Sequence, residues 1–356
     1  MARKHALVLV HGMGEQVEGW HTPAWDTLTA AFPTYAEFNG RKLADRVQPV
    51  PVLYSDFFTD LRQMWKDQVA QIKTVLGQQL DAVDTLQRQS VNNQIDSIAN
   101  AIGAGADTFV WTHAMDVVLY RFFKLVRADI NVKVGKQIAA ATKNTFNGWS
   151  VIAHSLGTAV THNTLHALYT SRLLADEPPL DPLETRPKVV AMVANVSRVL
   201  QLPALKVFSS KVMPGASDDG RVCDTYLNVR HLFDPFMFPQ PFEPDNTWPP
   251  PGTFVPSQYQ HIRPSHLDVE KLTNVHDLDH YLENPRVHVP IFRAIFGGDT
   301  IPDEELAAAC AKFDQDIVNH ELDTVRHALE GLIPAKTEEW PMILKSLFDL
   351  SGLVKP

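Results

Sequence analysis

The sequence predicts an α/β protein with a mostly parallel central sheet and helices on both faces. Two short apolar runs, 6–10 and 149–153, each end at a tight turn and give way to a helical pattern. Strand-like and helix-like segments then alternate along the chain. A composition of 45% apolar and 21% charged residues supplies a sizeable core. At 356 residues, one core with additions is expected. It covers 1–298, with a helical insertion at 57–128 and a proline- and aromatic-rich loop at 235–256, and a helical extension follows over 299–356.

Ala6, Leu7, Val8, Leu9 and Val10 read as a buried parallel strand feeding the loop His11-Gly12-Met13-Gly14. A helix is expected over 23–32. The strand at 47–54 contains Pro49 and Pro51, which lack a backbone N–H and so place it at an edge or a strand start. From Phe57 onward, Leu61, Trp65, Val69, Ile72, Leu76, Leu80 and Val83 recur at steps of three and four, the spacing of one face of a long helix. Further helices are expected over 90–102, through 117–126 and over 130–141. Trp149 to Ala153 forms the next strand, a helix continues over 159–170, and later strands are expected at 188–196 and 226–233. The segment 235–256 holds eight prolines and the aromatics Phe236, Phe238, Phe242, Trp248 and Phe254, so it reads as a stiff surface excursion.

Composition narrows the function. With 32 basic against 41 acidic residues and no basic run, nucleic acid is not an expected partner. Cys223 and Cys310 form no C-x-x-C pair, which favours a reducing compartment and leaves a single disulfide open. Asp107, His113 and Asp116 interrupt the most apolar helical region, so no membrane span is expected and any membrane or lipid contact is peripheral. The basic start Met1 to His5 precedes only five apolar residues, too few for a signal peptide, and a cytoplasmic location is expected.

The strongest chemical signal is Trp149-Ser-Val-Ile-Ala-His-Ser-Leu-Gly-Thr158. Ser155 stands where a strand stops and a helix begins, with small residues, Ala153 and Gly157, two positions to either side. A nucleophile on so sharp a turn sits in strained backbone, and bulky neighbours would collide. The helix that follows points its positive end at Ser155, and the Leu156 N–H is placed to meet a developing oxyanion. In the loop His11-Gly12-Met13-Gly14, the glycines free the backbone to turn, and Met13 N–H is the natural second donor.

Together the two motifs, with His154 and Gly157 flanking Ser155 and Leu156, resemble the α/β-hydrolase family in its lipase and esterase branch. The resemblance covers 6–14 and 149–160 clearly and weakens through 290; it leaves out 57–127 and the tail after 298. It implies a Ser-Asp-His triad in that chain order, no cofactor, and an ester substrate that is a small molecule or a lipid. The acid it implies follows a late strand, where Asp234 stands; Asp218, Asp219 and Asp224 precede that strand. For the histidine, His276 is preferred and His280 is the second choice. His276 suits a loop before a Tyr-Leu helix start, with Asp277 or Asp279 in the first helical turn, whereas His280 falls on the helix. His288 is a more distant choice. His276 and His280 also have the i, i+4 spacing of a zinc pair, but no Glu lies between them and further ligands are undefined, so no metal is assigned. The insertion reads as a helical cover, or lid, of the kind such enzymes carry, or as an extra packed layer. The same residues would serve an acyltransferase, thioesterase or amidase, and a non-catalytic binding protein on the same fold is the remaining alternative.

Overall fold

The computed structural model describes residues 3–14, 16–58, 116, 120, 124–142, 146–171, 173–175, 177–198, 200, 210–215, 220–231, 234, 242–243, 258–264 and 276–319. The chain divides into two compact units. The first is Met1–Gly12, Val17–Leu53 and Ala128–Leu332; the second is Met13–Gln16, Tyr54–Arg127 and Ile333–Pro356.

The first unit is built on a six-stranded sheet, parallel throughout among the described residues. Its strands are β1 (His5–Val10), β2 (Val47–Val52), β3 (Trp149–His154), β4 (Val189–Val193), β5 (Thr225–Val229) and β6 (Tyr259–Ile262). They lie in the order β2-β1-β3-β4-β5-β6. Every residue of β1, β3 and β4 is buried. Successive side chains of a strand point to opposite faces, so these strands are covered on both. Pro49 and Pro51 sit in β2, at the sheet's edge, where a missing N–H breaks no ladder.

The register aligns the strand ends: Val10 lies opposite Ala153, His154 opposite Val193, and Val193 opposite Val229. The turns after β1, β3, β4 and β5 therefore leave the same edge of the sheet. The chain moves outward from β1 to β2 and then to the other side at β3, which makes the gap between the ends of β1 and β3 a topological switch point, where α/β sheets bind ligands. Gly12 and Ser155 stand there.

Around the sheet pack α1 (Thr22–Ala31), the short α2 (Leu43–Arg46), α3 (Lys124–Thr142, whose first turn belongs to the second unit), α4 (Leu156–Thr170), α5 (Leu278–Glu283), α6 (Pro285–Phe296) and α7 (Asp303–Asn319). Pro285 opens α6 in the first turn, where its missing N–H costs nothing, and the Asn284 side chain accepts the Arg286 N–H at 2.9 Å. Phe32, Phe38 and Phe292 form a buried aromatic cluster, with Phe32 stacked on Phe38 at 4.2 Å. The part of the C-terminal extension that is described, α7, is tied back by a two-pronged Arg286–Asp314 pair, and Arg293 bonds Asp303 at 2.8 Å.

Several elements depart from the sequence expectation. α4 starts at Leu156, immediately after Ser155, rather than at 159. β4 stops at Val193 because Ala194 turns to φ 50°, short of the expected 196, and β5 ends at Val229 rather than 233. β6 was not expected at all; of its four residues only Ile262 is buried, so it carries no apolar run. Within 235–256, Phe242 is not surface: it is buried, stacks on Tyr226 at 5.5 Å, and its carbonyl accepts Asn228 Nδ2–H at 2.7 Å. Phe236, Phe238, Trp248 and Phe254 lie outside the described residues. Cys223 and Cys310 are free thiols.

In the second unit, the segment that follows Gly12 is anchored by residues distant in sequence. Gly14 N–H donates to Asp116 Oδ2 at 2.9 Å, while Gln16 N–H donates to Ser55 Oγ and Ser55 O–H returns a bond to the Gln16 carbonyl. Tyr54 is buried against Phe58. Most of the insertion, and with it the expected helices over 57–83 and 90–102 and the lid reading, lies outside the described residues. Among the described residues, no helix is long and apolar enough to cross a membrane.

Candidate active site

Ser155 is the single residue between β3 and α4, and its backbone has φ 51° and ψ −126°. A non-glycine residue with positive φ costs on the order of 1–3 kcal/mol and persists only when its surroundings hold it there. Here the Ser155 N–H donates to the Val193 carbonyl at 3.0 Å. The Ser155 carbonyl accepts both the Thr158 N–H at 2.9 Å and the Thr158 hydroxyl at 2.6 Å. Thr158 Oγ1 in turn accepts Val196 N–H at 3.0 Å, tying the turn to the one after β4, where Ala194 also has positive φ.

Two glycines make room. A Cβ on Gly157 would press into the carbonyls of His11 and Val10, the latter at 2.9 Å, because α4 begins by passing over the end of β1. The sequence expectation placed that crowding within the turn itself; the obstacle is the neighbouring strand. A Cβ on Gly12 would come within 2.9 Å of Ser155 Cβ. His11 Nδ1–H donates to the Gly12 carbonyl at 2.7 Å, and the His11 ring packs edge-on against Trp20. The Ser155 hydroxyl is buried and makes no hydrogen bond among the described residues.

Asp234, wholly buried after β5, accepts two hydrogen bonds on one oxygen: from His276 Nδ1–H at 2.7 Å and from Tyr281 O–H at 2.6 Å. Tyr281 Oη also accepts the His231 N–H at 3.3 Å. Burial first, then the Asp234 charge, pushes the Tyr281 phenol well above its usual range, so it remains a donor. A buried carboxylate requires such donors. His276 lies two residues before α5, and its carbonyl accepts His154 Nε2–H at 2.6 Å, which brings it against the residue next to Ser155. Burial foremost, and then His276, lowers the His154 pKa to about 3, so that imidazole is neutral.

The structure thus gathers Asp234 and His276 and connects them to the Ser155 turn through His154. His280 is elsewhere: it lies on α5, buried, with its ring 5.5 Å from that of His231. His288 bridges Tyr35 and the Leu282 carbonyl, donating from Nδ1 and accepting the Tyr35 hydroxyl on Nε2. Asp224 is ion-paired with Arg186, and Asp218 and Asp219 fall outside the described residues. Asp277 takes the N-cap position of α5 but makes no side-chain capping bond, and Asp279 is in the first turn. Leu156 opens α4, buried, while Met13 and Gly14 belong to the second unit, where Met13 is buried. Among the described residues, no group of three or more His, Cys, Asp or Glu is placed to hold a metal ion.

Sequence reading missed Tyr281 as a partner of the acid, because its bond to Asp234 spans 47 positions. It also missed Asn195, whose side chain joins Tyr226, Asn228 and Ser197 in a buried polar cluster beyond β4. Chemically, an imidazole that gives its Nδ1–H to a buried carboxylate keeps Nε2 as a proton acceptor. A serine at a helix N-terminus faces backbone N–H groups suited to negative charge. No protein-family model, curated protein or solved structure matches this chain.

Proposed function

We propose that the protein is a serine hydrolase on an α/β-hydrolase fold that cleaves a carboxylic ester of an apolar acyl group. One observation carries the reading: a positive-φ serine at a strand–helix junction is linked through its neighbour His154 to a histidine that is hydrogen-bonded to a buried aspartate. The parallel sheet and the switch-point position of Ser155 support it.

In this mechanism Ser155 Oγ attacks the acyl carbon while its proton passes to His276 Nε2, and Asp234 stabilises the resulting imidazolium. The side chain must first turn to meet His276, a bond that often forms only with substrate bound. The tetrahedral oxyanion receives Leu156 N–H at the start of α4. The proton on His276 then leaves with the alcohol, and a water activated by His276 releases the acid and restores Ser155. No step calls for a cofactor. The apolar acyl preference rests on the sequence of the insertion and of 235–256.

The test is turnover of p-nitrophenyl esters of increasing acyl length by wild type and Ser155→Ala. The substitution should lower kcat about a millionfold while leaving the unfolding transition in place, since one small side chain replaces another. Turnover that survives in Ser155→Ala contradicts the proposal. The Ser155 hydroxyl, which lacks a hydrogen bond among the described residues, favours one competing reading, a binding protein on the same fold. Stoichiometric ester binding without product release is the outcome that would select it.

A further inference from the structure

The side chain of His276 is fixed by Asp234, but a general base also needs its main chain held at the correct distance from the nucleophile. α5 does not begin until Leu278, and its N-cap Asp277 makes no side-chain capping bond. A hydrogen bond from His154 reaches the His276 carbonyl at 2.6 Å, across 122 positions of sequence. His154 is the last residue of β3 and the neighbour of Ser155.

We propose that His154 is a positioning residue: by donating Nε2–H to the His276 carbonyl, it sets where the base stands relative to the nucleophile. The inference rests on the serine-hydrolase reading. The base is then held by its ring at Asp234 and by its backbone at a residue covalently joined to Ser155. The geometry around His154 leaves little play. Its ring lies 4.7 Å from that of His276 and 6.4 Å from that of Tyr281, and a Cβ on Gly12 would come within 3.0 Å of its Nδ1. Because its second nitrogen faces the glycine loop, the ring is confined between that loop and the histidine. Burial keeps the imidazole uncharged, so it holds His276 without placing a positive charge beside the ring that must itself accept a proton.

The test compares His154→Phe, which keeps a ring but removes the donor, with His154→Gln, which keeps an N–H near the position of Nε2. Three readouts are taken on the full chain: steady-state ester turnover, thermal unfolding, and the downfield proton resonance of the His276 Nδ1–H. His154→Phe should lower kcat by about 10- to 100-fold with KM little moved, as expected for a misplaced catalytic group. Its Nδ1–H resonance should shift or broaden, and His154→Gln should restore most of both. Wild-type kcat in a folded His154→Phe, or equal impairment of both variants, overturns the inference. If His154→Phe does not fold, His154→Leu, smaller and also without a donor, makes the same comparison. A wild-type protein that hydrolyses no ester, yet has a resonance that depends on His154, separates the two claims: the hydrolase reading fails while the positional tie stands.

Discussion

The two sides of the proposed relay are built by different means. The Ser155 side is made of backbone: a strained φ, main-chain bonds to Val193 and Thr158, and two glycines that let chains approach. The His276 side is made of side chains: Asp234, Tyr281 and His154 each supply one group, from three separate stretches of sequence. A backbone-built site fails when atoms are added, and a side-chain-built site fails when polar atoms are removed. That difference gives four ways to break the comparison.

The largest effect is expected from Asp234→Asn. The amide oxygen can still accept from His276 and Tyr281, but the neutral side chain no longer stabilises the imidazolium or enforces the tautomer, and kcat should fall about 10⁴-fold with the protein still folded. A loss of less than tenfold would remove Asp234 from the relay. Next, Gly157→Ala drives a Cβ into the carbonyls of Val10 and His11. A destabilisation of about 3 kcal/mol is expected, readable as a lowered urea midpoint; an unchanged midpoint means that α4 does not pass so close to β1. Tyr281→Phe removes one donor from the buried Asp234 carboxylate and should lower kcat roughly tenfold and also lower the urea midpoint, by about 1.5 kcal/mol of stability.

The fourth concerns acid. Burial lowers the pKa of His5 and His288 to about 4 and of His154 and His162 to about 3; Lys188 adds to the effect at His5, and a neighbouring histidine at His154 and His162. These groups stay neutral in the folded chain where the unfolded chain, near 6.5, already binds protons. Their contribution is complete above about pH 6.5 and is lost as pH falls, through about 4 for His5 and His288 and about 3 for His154 and His162. Urea midpoints at pH 7 and pH 5 should therefore differ in that direction, and equal midpoints contradict the burial of these rings.

The same difference decides what sequence could reveal. Ser155 was legible because a backbone-built site leaves its mark within a few residues: an apolar strand, small neighbours and an immediate helix. The sheet's centre and the edge position of β2 were legible from apolar runs and from Pro49 and Pro51. β6 was not, since an edge strand with one buried residue has no periodicity to read. The preference for His276 over His280 followed from where a helix would begin, and the structure opens α5 at Leu278. The roles of Tyr281 and His154 depend on partners 47 and 122 positions away, and no local pattern encodes such a pairing. Gly157 was singled out for crowding in the turn, although the atoms it must avoid belong to β1 and the loop after it.

The most direct measurement is reaction with a fluorophosphonate probe followed by mass spectrometry of the labelled peptide, on wild type, His276→Ala and His280→Ala. Labelling at Ser155 in the wild type and in His280→Ala, and its loss in His276→Ala, is the predicted result. A folded wild type that takes no label at Ser155, or a label that survives in His276→Ala and disappears in His280→Ala, would contradict it.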